Sequence, residues 1–150
     1  MTSTYEALSA RMPGETATYT RQVTDADVAL FALITGDQHP LHLNQHYAAG
    51  TRFAQRIIPT TLIAGIVEAA LATTIPGMCG VVQWQQLEFP TLAYVDDAIT
   101  VTITVLGVEA TQAHMCCGIN ASNQHGVTVA RGEMRLAIKD LPAVGEDDDA

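Results

Sequence analysis

The chain has 150 residues and is 48% hydrophobic, enough for a single domain with its own core. Its formal net charge is −9, and its seven Lys and Arg are scattered, which excludes the basic patch that phosphate-backbone binding needs; nucleic acid is not an expected partner. Three cysteines, Cys79, Cys116 and Cys117, make an odd number with two adjacent, so a reducing, cytoplasmic setting is expected.

Residues 1–14 include Pro13-Gly14 and read as a loose lead-in. Glu15 to Val23 alternates Thr16, Thr18 and Thr20 with other residues, a strand pattern. Thr24 is a good N-cap, and Asp25 and Asp27 suit the first turn of a helix. Val28, Leu30, Phe31 and Ile34 continue at helical spacing, and Gly36 ends the run. Pro40 keeps His39 out of a helix. Asn44 to Ala49 predicts a short helix closed by Gly50, and Arg52 to Ile58 is irregular. Pro59 suits the first position of the longest helix, from Thr60 or Thr61 to Thr74. Leu62, Ile63, Ile66, Val67, Ala70 and Leu71 cover much of its circumference, so burial on most sides is expected. Pro76-Gly77 stops it.

Four strands then follow: Val81 to Phe89, Ala98 to Val108, Thr111 to Ser122 and Val127 to Ile138. Asp96-Asp97 and Asn123-Gln124-His125-Gly126 are turn-like. One apolar helix followed by a meander predicts an α+β fold, with an antiparallel sheet curled around the helix. The domain is expected to span residues 1–142. Residues 143–150, with Glu146-Asp147-Asp148-Asp149, read as an acidic disordered tail. There is no basic start followed by an apolar run, and the apolar stretch around Leu62 to Ile75 contains Glu68 and is too short to cross a bilayer, so neither a secretory signal nor a membrane role is expected.

The stretch with the most chemistry is Asp37-Gln38-His39-Pro40-Leu41-His42. It sets a carboxylate and an imidazole five residues apart around a proline, just past a helix end. Rigidly held Asp and His suit acid–base work. Structurally, Asp37 capping a following turn and His42 as a loop histidine would give the same pattern. His39 is either a second imidazole in the site or a turn residue. His46 reads as surface, and His114 and His125 form no metal-ligand spacing with the cysteines. No metal or cofactor is expected. Cys116 and Cys117 should point to opposite faces of a strand, one into the core. Glu68 is expected to exit to solvent, and Trp84 to sit in the core or an interface.

Gly36-Asp37-Gln38-His39-Pro40-Leu41-His42, followed by Tyr47-Ala48 and Arg52-Phe53, resembles the hydratase signature of MaoC-like proteins, the (R)-specific enoyl-CoA hydratases of the hot dog fold. Phe89-Pro90-Thr91-Leu92 through Asp97-Ala98-Ile99-Thr100-Val101 resembles the strand turn of that family, so the likeness runs from about Val23 to Leu136. The chain departs from the pattern at His39, where asparagine is usual, at Thr60 and Asp96, where glycines are usual, and at Arg56, where proline is usual.

The resemblance implies a hot dog sheet around one central helix, with a helical overhang carrying the active-site loop, assembled as a homodimer with the pocket at the subunit junction. It implies that Asp37 and His42 activate water for addition to an α,β-unsaturated acyl-CoA or acyl-carrier-protein thioester, Asp37 as base and proton donor and His42 polarising the water. The helix entry, Pro59, Thr60 and Thr61, would bind the substrate and its oxyanion through N–H groups or a hydroxyl, with His39 nearby; plain capping of the helix by a threonine is the structural alternative. Hydrolysis of a thioester, addition of another nucleophile such as an amine, and a non-catalytic hot dog subunit remain as alternative functions.

Overall fold

The computed structural model describes residues 10–77 and 79–138; the expected acidic tail and the domain limit at 142 lie outside them. The elements run β1 (Thr16–Gln22), α1 (Asp25–Thr35), α2 (Pro40–Leu43), α3 (Gln45–Ala49), α4 (Thr60–Thr73), β2 (Gly80–Glu88), β3 (Ala98–Glu109), β4 (His114–Ser122) and β5 (Thr128–Ile138).

All strand pairs are antiparallel, in the order β1-β3-β4-β5-β2. This corrects the simple meander expected from the sequence. Only β3, β4 and β5 follow one another. β2 pairs with β5 at the far edge, and β1 pairs with β3 at the other. The third C-terminal strand also starts later than expected, because Ala110–Gln112 form a 3-10 turn and Ala113 takes a left-handed φ of 51°.

Strand alternation builds the core. Ile99, Val101, Ile103 and Val105 are fully buried, while Thr100, Thr102 and Thr104 between them are partly exposed. Thr20 and Thr100 share a hydroxyl hydrogen bond of 2.9 Å across β1 and β3. On β4, Cys117 is buried and Cys116 exposed, as the alternation requires. Burial, and secondarily the neighbouring Cys116, pushes the Cys117 thiol up to about 12, so it is held as a neutral thiol and packs as a small hydrophobe.

α4 lies against this sheet and contacts β1, β2 and β3. Ile63, Ile66, Val67, Ala70 and Leu71 are its buried residues. Each such large side chain contributes about 1.5–3 kcal/mol on burial. Thr61, Gly65, Glu68, Ala69 and Ala72 are exposed, so the helix is buried along one face within the chain and not on most sides. Trp84 lies outside the core, 42% exposed on β2.

α1 begins with the capping arrangement that its sequence predicts. The Asp27 N–H donates to Thr24 Oγ1 at 3.3 Å, and the Thr24 N–H donates to Asp27 Oδ2 at 2.9 Å. Arg21 donates to the other Asp27 oxygen at 2.7 Å. The Thr24 N–H foremost, with the Thr24 hydroxyl and Arg21, holds the Asp27 carboxyl below its ordinary value. A depressed carboxylate stabilises the fold above its unfolded-state titration and loses that contribution as pH falls through its folded-state titration. Asp27→Ala is therefore expected to cost about 1 kcal/mol at neutral pH, as lost caps do. The gap from wild type should close in acid well below about pH 4. Denaturant midpoints of both proteins across that range measure it, and a gap independent of pH would contradict the assignment.

Candidate active site

α1 ends at Gly36, which takes a left-handed φ of 76° and returns its N–H to Ala32 O at 2.9 Å. Glycine has no Cβ to oppose that conformation, so the chain leaves the helix in a tight turn. The turn is pinned by Thr35, whose hydroxyl donates to Phe31 O at 2.7 Å and accepts from the Asp37 N–H at 3.2 Å. Asp37 Oδ1 in turn accepts from the His39 N–H at 3.1 Å. One carboxylate oxygen thus closes a local turn, leaving Oδ2 for other work.

Pro40–Leu43 form a helical turn that the sequence pattern did not predict; Pro40 occupies its first turn, where its missing N–H costs nothing. That placement was the available signal. His39 is the cap: its Nδ1 accepts from the Leu41 N–H at 3.1 Å. His39 thus serves the turn, with its ring engaged through Nδ1.

α2 presents His42, whose Nδ1 lies 2.8 Å from Ile57 O. A carbonyl oxygen can only accept, so Nδ1 carries the proton and Nε2 of the neutral ring has a free lone pair. That Nε2 is 3.8 Å from Asp37 Oδ2. Two acceptors face each other beyond direct hydrogen-bond range. A water molecule between them can donate one O–H to each. The His42 side chain is 13% exposed and that of Asp37 43%, so the imidazole is packed while the carboxylate faces solvent.

Ile57 locks this loop to the start of α4. Its N–H donates to Leu41 O at 3.3 Å while its carbonyl receives His42. The segment around it is paired with the turn before β3: Ile57 bridges Tyr94, the Ile58 N–H donates to Ala93 O at 2.8 Å, and the Val95 N–H to Arg56 O at 3.1 Å. No side-chain motif marks Ile57, because its contribution is a backbone carbonyl.

Pro59 is the N-cap of α4, not its first helical residue, and is buried; the helix starts at Thr60, within the expected bound. Neither Thr60 nor Thr61 caps the helix with its side chain; both lie inside its first turn. This corrects the threonine-capping alternative. The Leu62 and Ile63 N–H groups return to Pro59 O at 3.0 and 3.3 Å. The Thr60 and Thr61 N–H groups come before the first such bond and make no hydrogen bond among the described residues. Thr60 is in helical backbone, so glycine is not required there for conformation. At the other altered glycine position, Asp96 itself adopts a left-handed φ of 76°, a conformation aspartate tolerates better than most residues.

His46, His114 and His125 lie on α3, at the start of β4 and in the β4–β5 turn, apart from this constellation. Among the described residues no group of three or more His, Cys, Asp and Glu could hold a metal ion. No helix among them is long and apolar enough to cross a membrane.

The sheet order and single long helix are those of hot dog proteins, and solved structures bear this out. An R-hydratase from Pseudomonas aeruginosa in unliganded form superposes with a TM-score of 0.84 at 30% identity, covering 89% of this chain and 86% of that one. An (R)-hydratase from A. caviae involved in PHA biosynthesis gives 0.83 at 26% identity, covering 86% and 98%. The MaoC-like domain model matches residues 9–125, and the chain belongs to that family. An (R)-specific enoyl-CoA hydratase of Rhodospirillum rubrum is 35% identical over 95 residues, 63% of this chain and 66% of that protein. A 3-hydroxybutyryl-CoA dehydratase of Methylorubrum extorquens is 33% identical over 113 residues, 74% of this chain and 72% of that protein.

Proposed function

We propose that this chain catalyses reversible hydration of an α,β-unsaturated acyl thioester, carried by CoA or an acyl-carrier protein. The observation that carries the reading is the pair of facing acceptors, Asp37 Oδ2 and His42 Nε2, 3.8 Å apart. The activities named for the Rhodospirillum and Methylorubrum relatives support it.

In this reading one water donates to both acceptors. Its oxygen bonds to the β-carbon while Asp37 takes one proton. The π-electron pair moves onto the thioester oxygen as an enolate, and the Thr60 and Thr61 N–H groups, at the positive end of α4, stabilise that charge. Asp37 then returns the proton to the α-carbon as the enolate collapses. The net change is addition of H and OH, and the reverse sequence is dehydration. His42, its proton fixed on Nδ1 by Ile57 O, orients the water through Nε2.

Two further assignments accompany this reading. The β2 edge carries no charge or proline from Gly80 to Leu87, with Val81 and Trp84 exposed. Such an unprotected edge favours pairing with another strand, and we assign it to a homodimer contact. An odd number of cysteines, two of them adjacent, suits a reducing compartment, and we place the protein in the cytoplasm.

The test is incubation with crotonyl-CoA and longer trans-2-enoyl thioesters, with enoyl absorbance and free thiol followed separately. Loss of enoyl signal without thiol is expected. Stoichiometric thiol release would move the site to thioester hydrolysis, and an enoyl signal lost only when an amine is added would move it to amine addition.

A further inference from the structure

His39 touches both halves of the acid–base pair without being either. Its backbone N–H fixes Asp37 Oδ1 at 3.1 Å, which decides which carboxylate oxygen is left to face His42. Its ring Nδ1 caps α2 by accepting from the Leu41 N–H at 3.1 Å, and α2 is the single turn that aims His42. The Leu41 carbonyl in the same turn receives the Ile57 N–H, so the cap also bears on the Ile57 clamp.

We infer that His39 is a positioning residue for Asp37 and His42, and that its hold is released when its ring takes up a proton. An imidazolium has N–H on both nitrogens and no acceptor, so the Leu41 N–H loses its partner. Asparagine, serine or aspartate at a cap accepts through oxygen and suffers no such loss near neutrality. The ionisable groups facing the ring are Asp37, from the preceding turn, and His42, whose ring centroid is 5.7 Å away. The last turn of α1 adds no basic residue, and Arg56, beside Ile57, is paired with Asp25. Protonation thus both removes the cap and sets a cation beside the imidazole that must keep a free lone pair.

The effect on catalysis rests on the proposed hydration, so the test has one arm that does not use activity. Amide hydrogen exchange at Leu41 in the full chain, read by NMR, is expected to quicken about tenfold beyond the intrinsic pH trend as the His39 ring protonates, the size of a lost cap. In His39→Asn the excess should vanish, and in His39→Ala fast exchange should hold at every pH. In the activity arm, His39→Ala should lower kcat about tenfold across the range. His39→Asn should recover most of that loss and show a shallower acid limb than wild type. Leu41 exchange that ignores His39 protonation, or equal acid limbs in wild type and His39→Asn, would overturn the inference. If exchange behaves as described while no enoyl thioester is hydrated, His39 keeps its role in the loop and the hydration reading fails.

Discussion

Replacing Asp37 by asparagine is expected to lower the hydration rate by about 100- to 10,000-fold, the range that loss of a positioned general base produces. The fold should be almost unaffected. Asparagine keeps the oxygen that accepts from the His39 N–H, so the turn after α1 survives. The change falls on the other arm, where an NH₂ replaces Oδ2 opposite His42 Nε2. That group can donate to the His42 lone pair but cannot accept a proton from water, and it competes for the nitrogen that orients the water. The Asp37 side chain is 43% exposed, so unfolding free energy should shift by no more than about 0.5 kcal/mol. His42→Ala should reduce turnover similarly, but it also strands the buried Ile57 carbonyl, at a cost of about 1–3 kcal/mol. The two variants are therefore distinguishable: one is a kinetic lesion, the other kinetic and structural. Steady-state rates beside denaturant midpoints make the comparison. Turnover by Asp37→Asn within tenfold of wild type would remove Asp37 as the base.

Much of this was legible in the sequence because local chemistry and tertiary structure agree. The Thr24 cap, the Gly36 stop, the β3 alternation and the turn at Asn123 each follow from side chains acting on their own backbone. Asp37 and His42 could be paired because they are five residues apart on either side of Pro40. The strand order was not legible in the same way. β2 pairs with β5 and not with β3 because of contacts that span the whole C-terminal half, and no local period records them. The tautomer of His42 escaped for a related reason: it is set by a carbonyl fifteen residues away. The N-terminus of α4 falls at Thr60, as the sequence allowed, with Pro59 as its cap; the Ile58 N–H bond to Ala93 O holds the chain extended up to it.

The largest expected loss of stability is far from the reactive loop, at Gly132 in the middle of β5. Its φ of 155° lies in a region that L residues rarely enter, and an added Cβ would stand 1.9 Å from the Gln86 carbonyl oxygen and 2.9 Å from its carbon. The obstacle is backbone on the neighbouring strand, so no side chain can rotate away. Holding alanine in such a conformation costs about 1–3 kcal/mol. Forcing the strands apart adds about 1–3 kcal/mol of overpacking. Gly132→Ala should thus consume a large part of the roughly 5–15 kcal/mol that stabilises an ordinary domain. The damage has a direction. Gly132 faces Leu87, with Glu133 opposite Gln86 and Arg131 opposite Glu88, and β5 is the one strand that ties β2 to the sheet. Parting them frees β2 before the β3–β4 pair is touched. Hydrogen exchange should therefore quicken first in β2, and, if β2 is the dimer edge, the variant should also sediment as a smaller species. A denaturant midpoint within about 1 kcal/mol of wild type, with β2 amides still protected, would show that the β2–β5 pairing tolerates a side chain at this point.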